Sequence, residues 1–342
     1  MIPVSSSSVQ LPEQKTPAKE CWQQLFSNSL LTPEQLISRL ELPKSLLPEI
    51  QQAHKLFQLR VPEPYLQRIK KGELNDPLLK QILPLGLEAR QTPGYIKDPL
   101  EEKNSNPIAG LVHKYKSRVL LITSGACAIN CRYCFRRHFD YQDNALSQER
   151  IDQVVNYLHQ DKNINEVILS GGDPLATSDQ RLNLLLEKIA SVPHIKRLRI
   201  HTRLPVVIPQ RITDKLLESL FQSRLKIVWV LHINHAQEID LDLQQACQRI
   251  KQAGMLLLNQ SVLLKGINDS IESLVDLSEA LFNTDIQPYY LHVFDPVAGA
   301  AHFNIPDKEA ILLWKKLQAE LPGFLLPKLV REIPGESSKS LL

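Results

Sequence analysis

From Arg118 onward, short β-rich runs alternate with amphipathic helical stretches, and this alternation limits the possible folds more than any other feature of the chain. The β-rich runs cover residues 119–123, 166–170, 197–201, 226–231, 256–264 and 288–293. Helical periodicity comes after each of them, at 147–159, 178–190, 213–221, 241–251, 270–282 and 307–320. Six strand–helix units imply parallel strands joined by right-handed crossovers, because a twisted strand feeding a helix packs back on its sheet in only one hand. A doubly wound sheet and a whole or partial barrel both satisfy this pattern.

Upstream the character differs. Residues 1–14, with serines at 5–8, lack apolar periodicity and read as a loose lead-in. Thr32-Pro33-Glu34-Gln35 reads as a helix start, with a hydroxyl cap, proline in the first turn and a glutamine that completes a capping box. Further helical pieces are expected at 46–57 and 63–71, then an extended linker over 93–110. Formal charge is 40 − 37 = +3, with no basic run or basic-aromatic stripe, so nucleic acid is not an expected partner. No basic n-region with an apolar core and no bilayer-length apolar run occurs, which points to a cytoplasmic chain with no membrane partner.

Three of the five cysteines, Cys127, Cys131 and Cys134, fall within eight residues directly after the first β-rich run. A 4Fe–4S cluster ordinarily takes four thiolates, so a triplet with no fourth nearby leaves one iron for a non-protein ligand. A structural zinc site would need a fourth protein ligand, for which His138 is nearest. A disulfide framework does not suit a long chain with so few cysteines. Ser170-Gly171-Gly172-Asp173-Pro174 closes the second run with a glycine pair that permits close backbone approach, and on its own reads as a turn with Asp173 capping the next segment. His232 alone reads as a core histidine, Asp295 as a turn or cap residue, and Lys339, close to the end, as a solvated charge.

The triplet, with Tyr133 before its last cysteine, resembles the signature of radical S-adenosylmethionine enzymes. Its flanks, His113-Lys114-Tyr115-Lys116-Ser117-Arg118 and Cys131-Arg132-Tyr133-Cys134-Phe135-Arg136-Arg137, resemble the lysine 2,3-aminomutase family, over about residues 59–339. The resemblance is closest to the branch that makes the β-lysine attached to translation elongation factor P. It implies an open (β/α)6 partial TIM-like barrel with chemistry at the strand C-terminal ends. The implied division is a lead-in, helical segment and linker over 1–110, the barrel over 111–304, and a C-terminal helix and tail over 305–342.

The same resemblance implies the site. Cys127, Cys131 and Cys134 would hold the 4Fe–4S cluster, with Gly171, Gly172, Asp173, His232 and Gln260 near S-adenosylmethionine. Lys339 would form the Schiff base with pyridoxal 5'-phosphate, although Glu336-Ser337-Ser338 replaces the family's glycine-rich run before it. Arg118 and Tyr115 would meet the phosphate, with Lys114 where relatives carry arginine. Arg136 would clamp the substrate carboxylate. Asp295 and Glu332 would hold the far ammonium of L-lysine, Glu332 standing where relatives place aspartate. The implied activity isomerises lysine to β-lysine, in this branch the (R) form, for a separate ligase acting on elongation factor P. An electron donor such as flavodoxin or ferredoxin is implied, and a structural zinc like that of longer relatives is not expected. An aminomutase for another amino acid such as glutamate is the nearest alternative, which the acidic pair argues against. A non-catalytic metal or redox protein on the same barrel is the alternative of a different class.

Overall fold

The computed structural model describes residues 21–342; the lead-in read at 1–14 lies outside them. A single sheet of nine strands runs in chain order: β1 Leu111–Tyr115, β2 Arg118–Ser124, β3 Glu166–Gly171, β4 Arg197–Thr202, β5 Lys226–His232, β6 Leu256–Val262, β7 Gln287–His292, β8 Lys328–Arg331 and β9 Ser340–Leu341. β2 to β8 pair in parallel, neighbour to neighbour. β1 and β9 add antiparallel edges, and no pairing between them closes the sheet. One cavity is lined from Arg118 of β2 round to Tyr290 of β7 and Lys339 beside β9, so the sheet curls about it as an open partial barrel.

Five of the crossover helices show why the alternation was readable. Gln148–Gln160, Asp179–Ala190, Asp214–Phe221, Leu241–Gln252 and Ile271–Asn283 each come after a Ser, Thr or Asp whose side chain accepts a backbone N–H of the first turn. Their apolar faces bury Leu158, Leu185, Leu216, Ile250 and Leu277. Against them pack the outward residues of the strands, including Val119, Val167, Leu198, Ile200 and Trp229. The alternate residues face inward. Arg118, Glu166, Ile168, Arg197, Arg199, His201, Gln260 and Tyr290 all line the cavity.

The capping box is present, with Gln35 N donating to Thr32 Oγ1 at 3.2 Å and Thr32 N to Gln35 Oε1 at 2.9 Å. Other expectations change. The helix read over 63–71 is confined to Glu63–Leu66, because Asp76 Oδ2 takes the backbone N–H of Lys70 at 3.0 Å and Arg68 is drawn to Val206 O at 2.7 Å. The linker at 93–110 holds a 3-10 turn, Glu102–Ser105, organised by the burial of Glu102. The run 256–264 stops at Val262, where Asn268 Oδ1 takes the N–H of Leu264 at 2.8 Å. β1, β8 and β9 are strands that the β-rich runs do not include: two are short, and all depend on partners supplied by the folded chain.

The helical N-terminal segment packs onto the cysteine loop. Asn130 donates to Arg60 O at 3.0 Å and to Gln58 O at 2.9 Å, and Arg132 N donates to Gln81 O at 2.9 Å. The Arg132 guanidinium, fully buried, is bidentate to Glu88 at 2.8 and 2.5 Å, and Arg137 reaches Glu88 Oε2 at 2.6 Å. Removing one partner of a buried ion pair strands the other charge, so Glu88→Ala is expected to cost about 3–5 kcal/mol of stability, measured by urea unfolding. A loss under about 1 kcal/mol would show that Arg132 finds another partner.

Candidate active site

The site is a cavity of about 500 Å³ inside the curled sheet, running from the first residues of β2, β3 and β4 to the loops beyond the C-terminal ends of the strands. At one wall Cys127, Cys131 and Cys134 come after β2 as free thiols. Burial pushes the Cys127 thiol up, and Cys134 rises to about 11 through burial and then the neighbouring Cys131. Three sulfurs that repel one another as thiolates suit a multiply charged metal centre. Among the described residues no three ligating side chains converge tightly enough for a single ion. His138 meets Ala298 O at 3.0 Å instead of turning to the cysteines.

Arg203, at the end of β4, is buried and donates to Cys131 Sγ at 2.7 Å. The same guanidinium reaches Gln81 Oε1 and Glu238 Oε2, both at 2.8 Å, and contacts Tyr133 Oη. His232, at the end of β5, stacks on Tyr133 and meets its hydroxyl at 2.9 Å. Burial and then the charge of Arg203 keep His232 neutral. Gln260 is its register partner on β6 and lines the same wall.

The glycine pair lines the cavity, yet its conformational freedom serves the cysteine loop. Gly171 has φ of 120°, and a Cβ there would lie 2.6 Å from Ser124 O; at Gly172 it would lie 2.7 Å from Ala126 O. Gly172 N donates to Ser124 O, and Asp173 N to Ala126 O, both at 2.8 Å. The Asp173 carboxylate accepts from Leu175 N, Thr202 Oγ1, Arg203 N and Leu204 N at 2.7–3.0 Å. The carboxylate thus caps the chain within the protein while Asp173 also lines the cavity.

Arg136 also lines the cavity and has internal partners. The fork read as a carboxylate clamp is already bidentate to Glu102, at 2.7 and 2.6 Å, and Nη1 donates to Ser170 Oγ at 3.1 Å. Glu102 carries no sequence signal of this role because it lies in a segment with no motif.

At the far end of the cavity Arg118 stacks on Tyr115, its guanidinium carbon 4.2 Å from the ring centroid. Arg199, which sequence reasoning missed, enters the same region with Tyr289 and Tyr290 and is paired to Glu166, Nε to Oε1 at 2.8 Å. Lys114 departs from this group. Its ammonium donates to Glu332 Oε1 at 2.8 Å and Leu100 O at 2.9 Å.

Lys339 is brought into the cavity by β9, whose Ser340 and Leu341 pair with Arg331 and Val330. Its ammonium meets Glu332 Oε2 at 2.5 Å. Burial alone would raise Glu332, but Lys339 and Lys114 overturn this and hold it at about 2. Asp295 is pushed up to about 7, by burial first and then by Glu332. His292 falls to about 3 through burial and the charge of Lys339, and His201 is held neutral by burial and Arg199. The structure therefore brings Lys339, Glu332, Asp295, Arg118, Tyr115 and the three cysteines to one cavity.

The profile of the Radical SAM superfamily matches residues 121–238. The L-lysine 2,3-aminomutase of Haemophilus influenzae is 48% identical over 320 residues, covering 94% of this chain and 95% of that protein. The L-lysine 2,3-aminomutase of Escherichia coli is 46% identical over 328 residues, 96% of each chain. That of Clostridium subterminale is 35% identical over 321 residues, 93% of this chain and 77% of the relative.

The Asp295 shift has a testable sign. Its folded value lies above the ordinary carboxylate range, so Asp295 favours folding at acid pH and this contribution is lost as pH rises through about 7. Carboxyl infrared or ¹³C signals assigned to Asp295 are expected to titrate near pH 7, and at a lower pH in Glu332→Gln, where a repelling charge is gone. Titration near pH 4 in both proteins would refute the coupling.

Proposed function

The chain belongs to the L-lysine 2,3-aminomutase family of the radical SAM superfamily, and on that premise we propose that it isomerises L-lysine to β-lysine. The observation that carries this reading is one cavity holding three thiols, a tethering lysine and an acidic pair together. The residues fit the implied cofactors. Cys127, Cys131 and Cys134 would take three irons of a 4Fe–4S cluster, and no fourth thiol stands with them: Cys21 is exposed and Cys247 is on the buried face of the crossover helix Leu241–Gln252. Lys339 would tether pyridoxal 5'-phosphate, with Arg118 and Tyr115 toward its phosphate. When bound, the cluster and S-adenosylmethionine supply a 5'-deoxyadenosyl radical, and pyridoxal phosphate supplies the conjugated system through which an amino group shifts from α- to β-carbon.

The protein's own contribution is placement. Arg203 donates a hydrogen bond to the Cys131 sulfur, which stabilises added negative charge on a cluster held there. The wall formed by Gly171, Gly172, His232 and Gln260 offers backbone and side-chain polar groups to S-adenosylmethionine. Arg136, held by Glu102, Ser170 Oγ and the Gly171 carbonyl, keeps one Nη2–H for the substrate carboxylate. Asp295 and Glu332 offer the far ammonium of lysine two carboxylates, and arrival of that cation favours release of the proton on Asp295. A substrate with no second ammonium, such as glutamate, gives Asp295 no cation to pair with and leaves it protonated beside Glu332. Enclosure in the barrel keeps water and stray hydrogen donors from a radical.

Sequence resemblance to the elongation factor P branch supports (R)-β-lysine as product, delivered to a separate ligase acting on that factor. The same resemblance supports a flavodoxin or ferredoxin as reductant and a cytoplasmic setting. No helix among the described residues is long and apolar enough to cross a membrane.

Two variants separate the two halves of the site. With anaerobically loaded protein, Cys131→Ala is expected to lose reductive cleavage of S-adenosylmethionine while keeping a borohydride-reducible pyridoxyl adduct. Lys339→Ala is expected to lose the adduct and keep its iron. A pyridoxyl group mapped to another lysine, or full turnover by Cys131→Ala, would overturn the assignment. Asp295→Asn is expected to slow conversion of L-lysine to β-lysine by about two orders of magnitude, roughly 3 kcal/mol, with cofactor loading unchanged. Equal rates in the parent and this variant, measured by chromatography of the products, would remove Asp295 from substrate recognition.

A further inference from the structure

We propose that Lys114 is a positioning residue that fixes Glu332 in the substrate pocket, and that it does not bind the cofactor phosphate. This rests on the reading of Glu332 as a contact for the far ammonium of lysine. Lys114 and Glu332 come from opposite edges of the sheet. Lys114 is on β1, and Glu332 comes directly after β8. Both side chains are largely buried, at 12% and 15% exposure, and meet at 2.8 Å.

An ammonium has three donors. Lys114 uses two of them, toward Glu332 Oε1 and the Leu100 carbonyl, acceptors fixed by the protein. An anionic phosphate approaching it would be brought close to the Glu332 carboxylate, and the repulsion would offset much of the attraction. Arg118 instead lies over the Tyr115 ring, with no carboxylate held against its guanidinium in the way that Glu332 is held against Lys114. The basic charge suited to an anion is therefore Arg118, and that of Lys114 is matched locally.

Glu332 needs such a partner. It stands between the end of β8 and the turn around Pro334 and Gly335, outside the regular ladder. Its side chain has three rotatable bonds, and a carboxylate that must meet a cation at one depth gains from having those torsions settled beforehand. Lys114 holds Oε1, which leaves Oε2 facing the cavity side where Lys339 lies. The ion pair spans a fixed gap between β1 and the chain after β8. Shortening the acid withdraws its oxygens by one carbon–carbon bond, and lengthening the base compensates.

The test uses full-length protein loaded with cluster, pyridoxal phosphate and S-adenosylmethionine. Lys114→Met is expected to raise KM for L-lysine about tenfold with a smaller change in kcat, while the dissociation constant of pyridoxal phosphate, read from its absorbance, stays within about twofold. Glu332→Asp and Lys114→Arg are each expected to raise KM. The double variant Lys114→Arg/Glu332→Asp is expected to return to within about threefold of the parent, a coupling that general loss of fold does not produce. A tenfold weaker pyridoxal phosphate affinity in Lys114→Met would identify a phosphate contact and overturn the proposal. Additive losses in the double variant would overturn it also. If Glu332→Gln raises KM but Lys114→Met does not, this proposal fails and the substrate reading stands; if Glu332→Gln leaves KM unchanged, the substrate reading itself fails.

Discussion

The contact on which the rest of the site depends is the buried pairing of Arg132 with Glu88. The cysteine loop after β2 has no strand or α-helix of its own, so its geometry must be imposed from outside. One side is imposed by the barrel, where the carbonyls of Ser124 and Ala126 accept the N–H groups of Gly172 and Asp173. The other is imposed by the N-terminal helical segment, where Arg132 is bound to Glu88 and to the carbonyl of Phe57 at 2.7 Å. An arginine between two cysteines, buried without a partner, would pull the loop outward to water. The helical segment therefore has a physical task, which is to supply Glu88 and the carbonyls that keep three sulfurs facing inward.

A second dependence runs between the edges of the sheet. The open barrel leaves β1 and β8 as neighbours of the cavity without a ladder joining them. Charged side chains bridge that gap: Lys114 from β1, Glu332 after β8 and Lys339 before β9 form one chain of contacts. β9 is only two residues long, yet its pairing with β8, together with Leu342 N donating to Leu329 O at 3.1 Å, returns the tail to the cavity. Lys339 is thereby converted from a solvated charge into a partly buried, paired one.

Legibility in the sequence depends on how local each signal is. Capping residues such as Ser147, Thr213 and Asp240 act within one turn, and they mark the crossover helices to within a residue or two. The alternation Arg197-Leu198-Arg199-Ile200-His201 states which face of β4 meets the cavity, a period-two signal that places Arg199 and His201 there although no motif names them. Glu88, Glu102 and Arg203 had no local signal at all. Glu88 and Glu102 lie 44 and 34 residues from the arginines they hold, and Arg203 lies 72 residues from the sulfur it meets. Their roles come from burial beside an opposite charge, which depends on the assembled fold. The same holds for Lys114, Asp173 and Arg136: nothing in their spacing reveals the internal partners that each of them meets.

The acidic pair shows how environment divides one chemistry into two behaviours. Asp295 and Glu332 are both carboxylates at the same end of one cavity, yet one is pushed up to about 7 and the other held at about 2. The difference lies in the cations. Glu332 is gripped by Lys114 and Lys339, which outweigh its desolvation, whereas Asp295 has burial and the charge of Glu332 against it. Glu332 is thus the fixed charge of the pair and Asp295 the adjustable one. A neutral Asp295 relieves the pocket of an uncompensated buried anion, and an incoming ammonium restores its ionisation by supplying the missing partner. A cation beside Asp295 would therefore be favoured over a neutral or anionic group by charge balance, before shape is considered.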